Sequence, residues 1–476
     1  MEQKQYDLVI VGAGLSGLSA AVEAGSHHLK TLVLEKGRTI GGNGNYVEGA
    51  LGIDSYLQKQ HGIKIDKLAV LKSELDYSHY EANAAHLKHY FDHSGETIDW
   101  LHRLGVEFAG VGAQGDSWPT IHAFTGGGHA AVQVLEQKAR DLGVEFLTSI
   151  AAQRILSTDS QVQGLVAKNE TTGLEQTFLT KHVLLATGGY ADNPQLMKQL
   201  VNSSRLMTVS DGKSTGDGLK LAWQAGGQHA SLGAPQFGGG FIYDPMKPAF
   251  MYMGSELGAA ATQEAILWVN EQGERFINED VNDNMCNAGN AILTQSKVYS
   301  IFDQAAVDHL EKVGLYKKVG NSPVSPDKLA KLPEEIKADL ASHQRFLTSA
   351  ATIDELAAKL HLAKLPQTIQ NYNQLVAAGI DTDYGKDAKY LTSVTDGPFY
   401  AVELGVGIAA AIGGIRVDNC NRVLNDYGYP IGGLYVIGND AAGMMVGDTY
   451  AVTLPGSTAG YASFSGRNAV QHIVEE

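Results

Sequence analysis

The chain has only two cysteines in 476 residues, Cys286 and Cys420, far apart in sequence. Two cysteines at that spacing exclude a disulfide framework and a zinc-ligand pattern. No C-x-x-C-H segment for attaching a haem occurs. No apolar run approaches the ~18 residues that a membrane span requires. Basic residues are outnumbered, 36 against 52 acidic, for a formal charge of −16. That balance argues against non-specific nucleic-acid binding and against an anionic membrane surface, both of which need clustered cations. The N-terminus enters an apolar segment after a few polar residues, leaving no room for a signal peptide. A reducing, cytoplasmic setting is expected, with no metal site.

What is present is glycine: 55 residues, grouped in short motifs rather than in a repeat. Hydrophobic residues make up 44% of the chain, enough for a large core in two or three domains. Residues 6–35 are the most informative stretch. They read as a strand, then Gly12-Ala13-Gly14-Leu15-Ser16-Gly17, a helix, and a second strand ending in Glu35. A dinucleotide needs each part. Gly12 permits the tight turn, Gly14 lets the backbone approach the pyrophosphate, and Gly17 lets helix and strand pack closely. The helix N-terminus offers free N–H groups and a favourable dipole to the phosphates. Glu35 stands where a carboxylate binds ribose hydroxyls.

Farther along, apolar spacing predicts a helix from about Ala84 to Leu104. A second is predicted over Val132–Arg140, ending at Gly143. A hairpin is expected from Gln161–Val166 and Gln176–Leu179, turning near Gly173. The stretch 182–189 reads as a buried strand ending in Gly188-Gly189. Residues 231–395 differ in texture, being rich in lysine, proline and mixed helices. They read as an inserted domain between 1–230 and 396–476, both of which contribute to the cofactor-binding domain. The fold class expected is α/β: a Rossmann-like domain with an inserted α+β cap.

Several segments in order carry a family resemblance. They are the glycine motif, Glu35-Lys36, Gly41-Gly42-Asn43, Ala186-Thr187-Gly188-Gly189, Ser214-Thr215-Gly216-Asp217-Gly218, Arg275-Phe276-Ile277-Asn278-Glu279, Gly397-Pro398-Phe399-Tyr400 and the late strand ending in Gly438. The chain resembles the flavoprotein subunits of fumarate reductases and succinate dehydrogenases, including their ketosteroid dehydrogenase branch. The resemblance implies FAD, a cap domain over the flavin, and hydride transfer at a carbon–carbon bond beside an electron-withdrawing group. It places Gly12, Ala13, Gly14, Ser16 and Gly17 at the pyrophosphate and Glu35, next to Lys36, at the adenosine ribose. Gly42, Asn43, Gly44 and Asn45 fall along the flavin. Ala186, Thr187, Gly188 and Gly189 run beside the dinucleotide, with Asp217 near the ribityl chain or pyrophosphate. Gly438 and Asn439 end the late strand, Asn439 where family members often have Glu. Ser457 and Thr458 face the isoalloxazine. The covalent-flavin histidine has no match near Asn43 to Gly49, so FAD is expected to be non-covalent.

The departures concern the substrate. The family's arginine proton donor, its early cap histidine and its late histidine and arginine are all missing. A dicarboxylate buried without counter-charges costs several kcal/mol, which argues against fumarate and succinate. The Thr449-Tyr450 and Pro455-Gly456 segments instead are similar to the ketosteroid branch. There a tyrosine hydroxyl and a glycine N–H bind the substrate's carbonyl oxygen, which on this chain falls to Tyr450 and Gly456. Donors at that oxygen stabilise developing negative charge. Candidate proton donors are Tyr243 and Tyr252 in the cap, Tyr46 beside the flavin loop, and Asp283 at the position of the lost arginine. His122 and His129 read as structural or as supports of the pyrophosphate region.

The function expected is an FAD-dependent ene-reductase acting on an alkene conjugated with a carbonyl or phenol, such as a para-vinylphenol or an enone. The alternatives are a ketosteroid-type dehydrogenase, a fumarate reductase, and a flavin-binding redox sensor without turnover. NADH or a reduced flavin is the candidate electron donor.

Overall fold

The strand Leu8–Val11 is buried at every position, because the sheet it belongs to is covered on both faces. Each aliphatic side chain so buried stabilises the fold by about 1.5–3 kcal/mol. In this computed structural model the described residues are 4–113, 117–200, 206–230, 232, 235–252, 254–317, 327–441 and 453–476. Among them Leu8–Val11 pairs in parallel with Thr31–Glu35 on one side and His182–Leu185 on the other. The parallel set extends to Glu145–Thr148 at one end and to Pro430–Val436 at the other. The predicted hairpin is present as Gln161–Asn169 and Glu175–Leu179. A further strand, Ile150–Thr158, pairs with its first arm. Such a parallel arrangement with crossover helices is the doubly wound α/β plan.

The helix Leu15–Ser26 is buried along nearly its whole length. It packs against the last helix, Ser457–Glu475, and small residues permit the approach: a Cβ on Gly466 would lie 2.5 Å from the Ser16 carbonyl oxygen. A small antiparallel sheet of Gly49–Leu51, Ile121–Phe124 and Phe108–Gly112 completes this part. The two helices expected from spacing run over Ala84–Arg103 and Gly127–Asp141. The Asn83 side chain caps the first of them by accepting from the N–H groups of Ala85 and His86.

The chain divides into two compact units. One comprises residues 1–201, 210–236 and 410–476; the other comprises 202–209 and 237–409. The second unit is α+β. Its sheet is organised on the long strand Phe399–Ala411, which pairs with Leu206–Thr208, Pro235–Ile242, Val298–Asp303 and Leu347–Ala350. The chain returns to the first unit at 410. Residues 399–409 are glycine- and alanine-rich like the cofactor domain, yet their hydrogen-bond partners lie in the second unit.

Candidate functional site

The first unit carries the glycine motif as a turn between strand and helix. Gly12 has φ +107°, and a Cβ there would lie 2.3 Å from the Ala186 carbonyl oxygen. On Gly17 a Cβ would lie 2.0 Å from the Gly12 oxygen. Gly14 differs: a Cβ there would meet nothing nearer than the Gly41 oxygen at 3.9 Å, so its outer face is open. It also begins the helix, whose first turn receives no capping side chain. An open glycine face at an uncapped helix N-terminus fits a pyrophosphate. Glu35 is held by both oxygens, accepting from Ala13 N–H at 3.0 Å and Gly37 N–H at 2.6 Å. Each oxygen retains a lone pair for a ribose hydroxyl.

The neighbouring residues serve mainly to shape this cradle. Lys36 donates to Asp217 and to Thr215, both at 2.6 Å, and Asp217 opens the helix Asp217–Gln224. Gly42, Asn43, Gly44 and Asn45 lie in one tight turn, Gly42–Tyr46. The Asn43 side chain accepts from Asp211 N–H at 2.8 Å and donates to Ser214 Oγ at 3.3 Å. Asn45 donates to the carbonyls of Ile40 and Gly42, each at 3.2 Å, and accepts from His129 Nδ1 at 3.0 Å. Asn45 is engaged by its own turn and Asn43 by the segment 211–214, so both side chains have protein partners. His129 props Asn45, a contact between residues 84 apart.

Thr187, Gly188 and Gly189 follow the strand His182–Leu185, both glycines with positive φ. A Cβ on Gly189 would lie 2.1 Å from the Ala411 oxygen. Gly438 donates its N–H to Ser465 Oγ at 3.0 Å, and the Asn439 carbonyl accepts from Gly413 N–H at 2.9 Å. The residue beyond, Asp440, is fully buried, and its carboxylate accepts from Thr187 and Gly189. Nothing in its local sequence marks it, since its partners lie some 250 residues earlier.

Gly456 precedes the last helix with φ +80°, and its oxygen accepts from Leu51 N–H at 2.8 Å. The Ser457 carbonyl accepts from the Tyr90 hydroxyl at 3.1 Å. Thr458 follows in the first helical turn. The Thr120 hydroxyl donates to the Pro455 oxygen at 3.1 Å, and His122 braces Thr120. The Thr120 carbonyl can only accept, so His122 Nδ1 carries the hydrogen. Nε2 then accepts from the Ser55 hydroxyl at 2.6 Å. His122 thus supports the Pro455-Gly456 turn. Burial pushes its pKa down to about 4, and the neutral imidazole is what this network requires. Tyr450 lies outside the described residues.

His86, whose Nε2 is 2.7 Å from the buried Tyr461 hydroxyl, is likewise pushed down to about 4 by burial. In the unfolded chain both histidines take up a proton near pH 6.5. The unfolded state therefore binds more protons between about pH 6.5 and 4. Stability present above pH 6.5 is lost as the pH falls through that window, by on the order of 3 kcal/mol per histidine. Melting temperatures measured from pH 7 to 4 should fall accordingly. His122→Asn should be less stable than the parent at pH 7 but show a shallower decline.

In the second unit Tyr243 follows the strand Pro235–Ile242, with its N–H donating to the Glu403 oxygen at 2.8 Å. The Tyr252 hydroxyl donates to Asp244 at 2.6 Å, and burial and that carboxylate push its pKa up. A hydroxyl committed to a carboxylate is poorly suited to proton donation. Tyr46, in the first unit, is 71% exposed. Asp283 pairs with the buried Lys317 ammonium at 3.1 Å, which also donates to Asp280 and to Asn282 Oδ1. Lys317 is 34 residues from Asp283 and carries no motif of its own. Arg275 is equally committed: it donates to Glu279 and Asp381, while Lys386 lies 3.3 Å from Glu279. The four charges are buried together. The Arg-Phe-x-Asn-Glu segment therefore builds a neutral ionic core.

Residues 7–450 match the model of the FAD binding domain family. The chain belongs to this family. It is an FAD-dependent oxidoreductase. As an FAD-binding protein it has a relative in the vinyl phenol reductase of Lactiplantibacillus plantarum, 44% identical over 476 residues, covering 99% of this chain and 96% of that one. The fumarate reductase (cytochrome) of Shewanella frigidimarina is 28% identical, over 92% of this chain and 72% of that protein. Among solved structures, the 3-ketosteroid Δ1-dehydrogenase of Sterolibacterium denitrificans superposes with a TM-score of 0.78 over 99% of this chain and all of that one. At 19% identity it shows the shared fold.

Proposed function

We propose that this flavoenzyme is an ene-reductase that reduces a carbon–carbon double bond conjugated with a phenol or carbonyl, with a para-vinylphenol as its substrate class. The 44% identity to a vinyl phenol reductase, spread over almost the whole length of both chains, carries this reading. The charge arrangement supports it. Arg275 and Lys317, cations of the region where the related enzymes' arginine would stand, are both spent on carboxylates of their own unit. A substrate with two carboxylates would compete for them at high cost.

FAD, held non-covalently, supplies the hydride chemistry. The glycine motif, Glu35 and the backbone at 186–189 and 438–439 hold it. The Tyr450 hydroxyl and the Gly456 N–H donate to the substrate oxygen. Protonation of the terminal vinyl carbon, with the phenolate so held, yields a quinone methide that accepts hydride. Tyr243 and Tyr252 are the proton-donor candidates of the second unit, the Tyr252 hydroxyl donating to Asp244. NADH is the reductant we propose. Among the described residues no helix is long and apolar enough to cross a membrane, and we place the enzyme in the cytoplasm.

Anaerobic stopped-flow on the FAD-loaded protein tests the reading. The flavin, reduced by NADH or dithionite, should be reoxidised rapidly by an uncharged compound, 4-vinylphenol or a 3-ketosteroid enone, and slowly or not at all by fumarate or cinnamate. Tyr450→Phe should retain FAD and slow vinylphenol-dependent reoxidation by about a hundred-fold, the effect of one lost oxyanion donor. Rapid turnover of fumarate with inert vinylphenol would overturn the assignment.

A further inference from the structure

The geometry points to Asp440 as the residue that positions the three cofactor-facing backbone segments of the first unit and sets the flavin's affinity and potential. The inference rests on FAD binding but not on the choice of alkene. The Asp440 carboxylate is wholly buried and surrounded by donors. It accepts from Thr187 N–H at 2.6 Å, from Gly189 N–H at 2.9 Å, and from the Thr187 hydroxyl at 2.9 and 3.1 Å. That hydroxyl in turn accepts from Gly218 N–H at 2.8 Å, which directs its hydrogen to the carboxylate. A site made only of donors requires the ionised acid. Burial pushes the Asp440 pKa up, and the hydrogen bonds from Gly189 and Thr187 oppose this.

Three segments distant in sequence converge on this one group. They are the strand end at 186–189, the helix start at 217–218, and the turn Gly438–Asp440. The first and third contain residues proposed to hold FAD, and the second carries Asp217, which the resemblance places near the ribityl chain or pyrophosphate. The fit leaves no slack, since a Cβ on Gly218 would lie 2.7 Å from both Asp440 Oδ2 and Thr187 Oγ1. Among the described residues the Asp440 carboxylate bonds Thr187 and Gly189. It acts through the path of the Thr187-Gly188-Gly189 backbone and through a fixed negative charge in a low-dielectric interior, where charge effects are strong.

In Asp440→Asn, one carboxylate oxygen becomes an NH2 group that faces donors, so part of the network is broken and the charge is lost. The purified apoprotein should remain folded by circular dichroism, bind FAD at least ten-fold more weakly by titration, and hold a flavin of more positive midpoint potential. Unchanged affinity and unchanged potential in a folded Asp440→Asn protein would overturn the proposal. Should Asp440→Asn fail to fold, Thr187→Val and Thr187→Ser decide. The valine removes the relay hydroxyl at constant shape and should weaken FAD three-fold or more and shift the potential. The serine keeps the hydroxyl and should restore both. Equal affinities and potentials in the two variants would refute the positioning role. None of these readouts uses an alkene, so failure here and failure of the vinylphenol assignment are separable.

Discussion

Gly14→Val will fold and purify without flavin. The backbone at Gly14 is extended, with φ −76° and ψ −175°, a conformation valine adopts readily. A Cβ there meets no protein atom within 3.8 Å, so the apoprotein has no reason to rearrange. The space it enters is the approach to the helix N-terminus, where the pyrophosphate must come against backbone N–H groups. Affinity for FAD should fall by at least a hundred-fold in a titration of apoprotein, with the far-ultraviolet circular dichroism of the parent. Gly17→Val is the contrasting case. Its Cβ would overlap the Gly12 oxygen at 2.0 Å, so it should lose FAD and stability together. Retention of stoichiometric flavin by Gly14→Val would show that the open face is not the phosphate site.

Glu279→Ala should destabilise the second unit by about 3–5 kcal/mol, the usual consequence of removing one partner from a buried ionic cluster. Glu279 is fully buried. It accepts from Arg275 Nε and Nη2, both at 2.9 Å, and from the Trp268 N–H at 3.2 Å, and it lies 3.3 Å from the Lys386 ammonium. Its loss leaves two cations against the single carboxylate of Asp381. That carboxylate, despite its burial, is held well below its ordinary range by Arg275 and by the N–H groups of Lys386 and Tyr384. Among the described residues one arginine nitrogen, Nη1, has no hydrogen-bond partner, so the cluster has no reserve. Chemical unfolding and limited proteolysis would measure the effect, with cleavage expected first within residues 237–409. A Glu279→Ala protein as stable as the parent would show that the cluster contributes no net stability.

The glycine motif, its flanking strands and Glu35 were legible because a βαβ unit is local: every residue it needs lies within 30 positions. The same holds for the turns at Gly188-Gly189 and Gly456, where positive φ leaves glycine as the ready choice. Reading this chain as an FAD-dependent α/β protein of the fumarate reductase and ketosteroid dehydrogenase kind was therefore sound, and the family match and the shared fold agree with it. The strand Ile150–Thr158 was not legible, since its half-exposed residues show no clean alternation.

The sequence by itself determined the cofactor class and the kind of fold, both of which follow from residue identity at short spacing. Only the tertiary structure decided what the charged and polar residues do. It spends Arg275 and Lys317 on neighbouring carboxylates, ties Asn43 to the segment 211–214 and Asn45 to its own turn, and puts His122 against Thr120, whose hydroxyl donates to Pro455. It also brings Asp440 to Thr187 across 253 residues. Hydrogen bonds and ion pairs depend on where atoms meet, and chain folding, not sequence distance, sets which groups share a site.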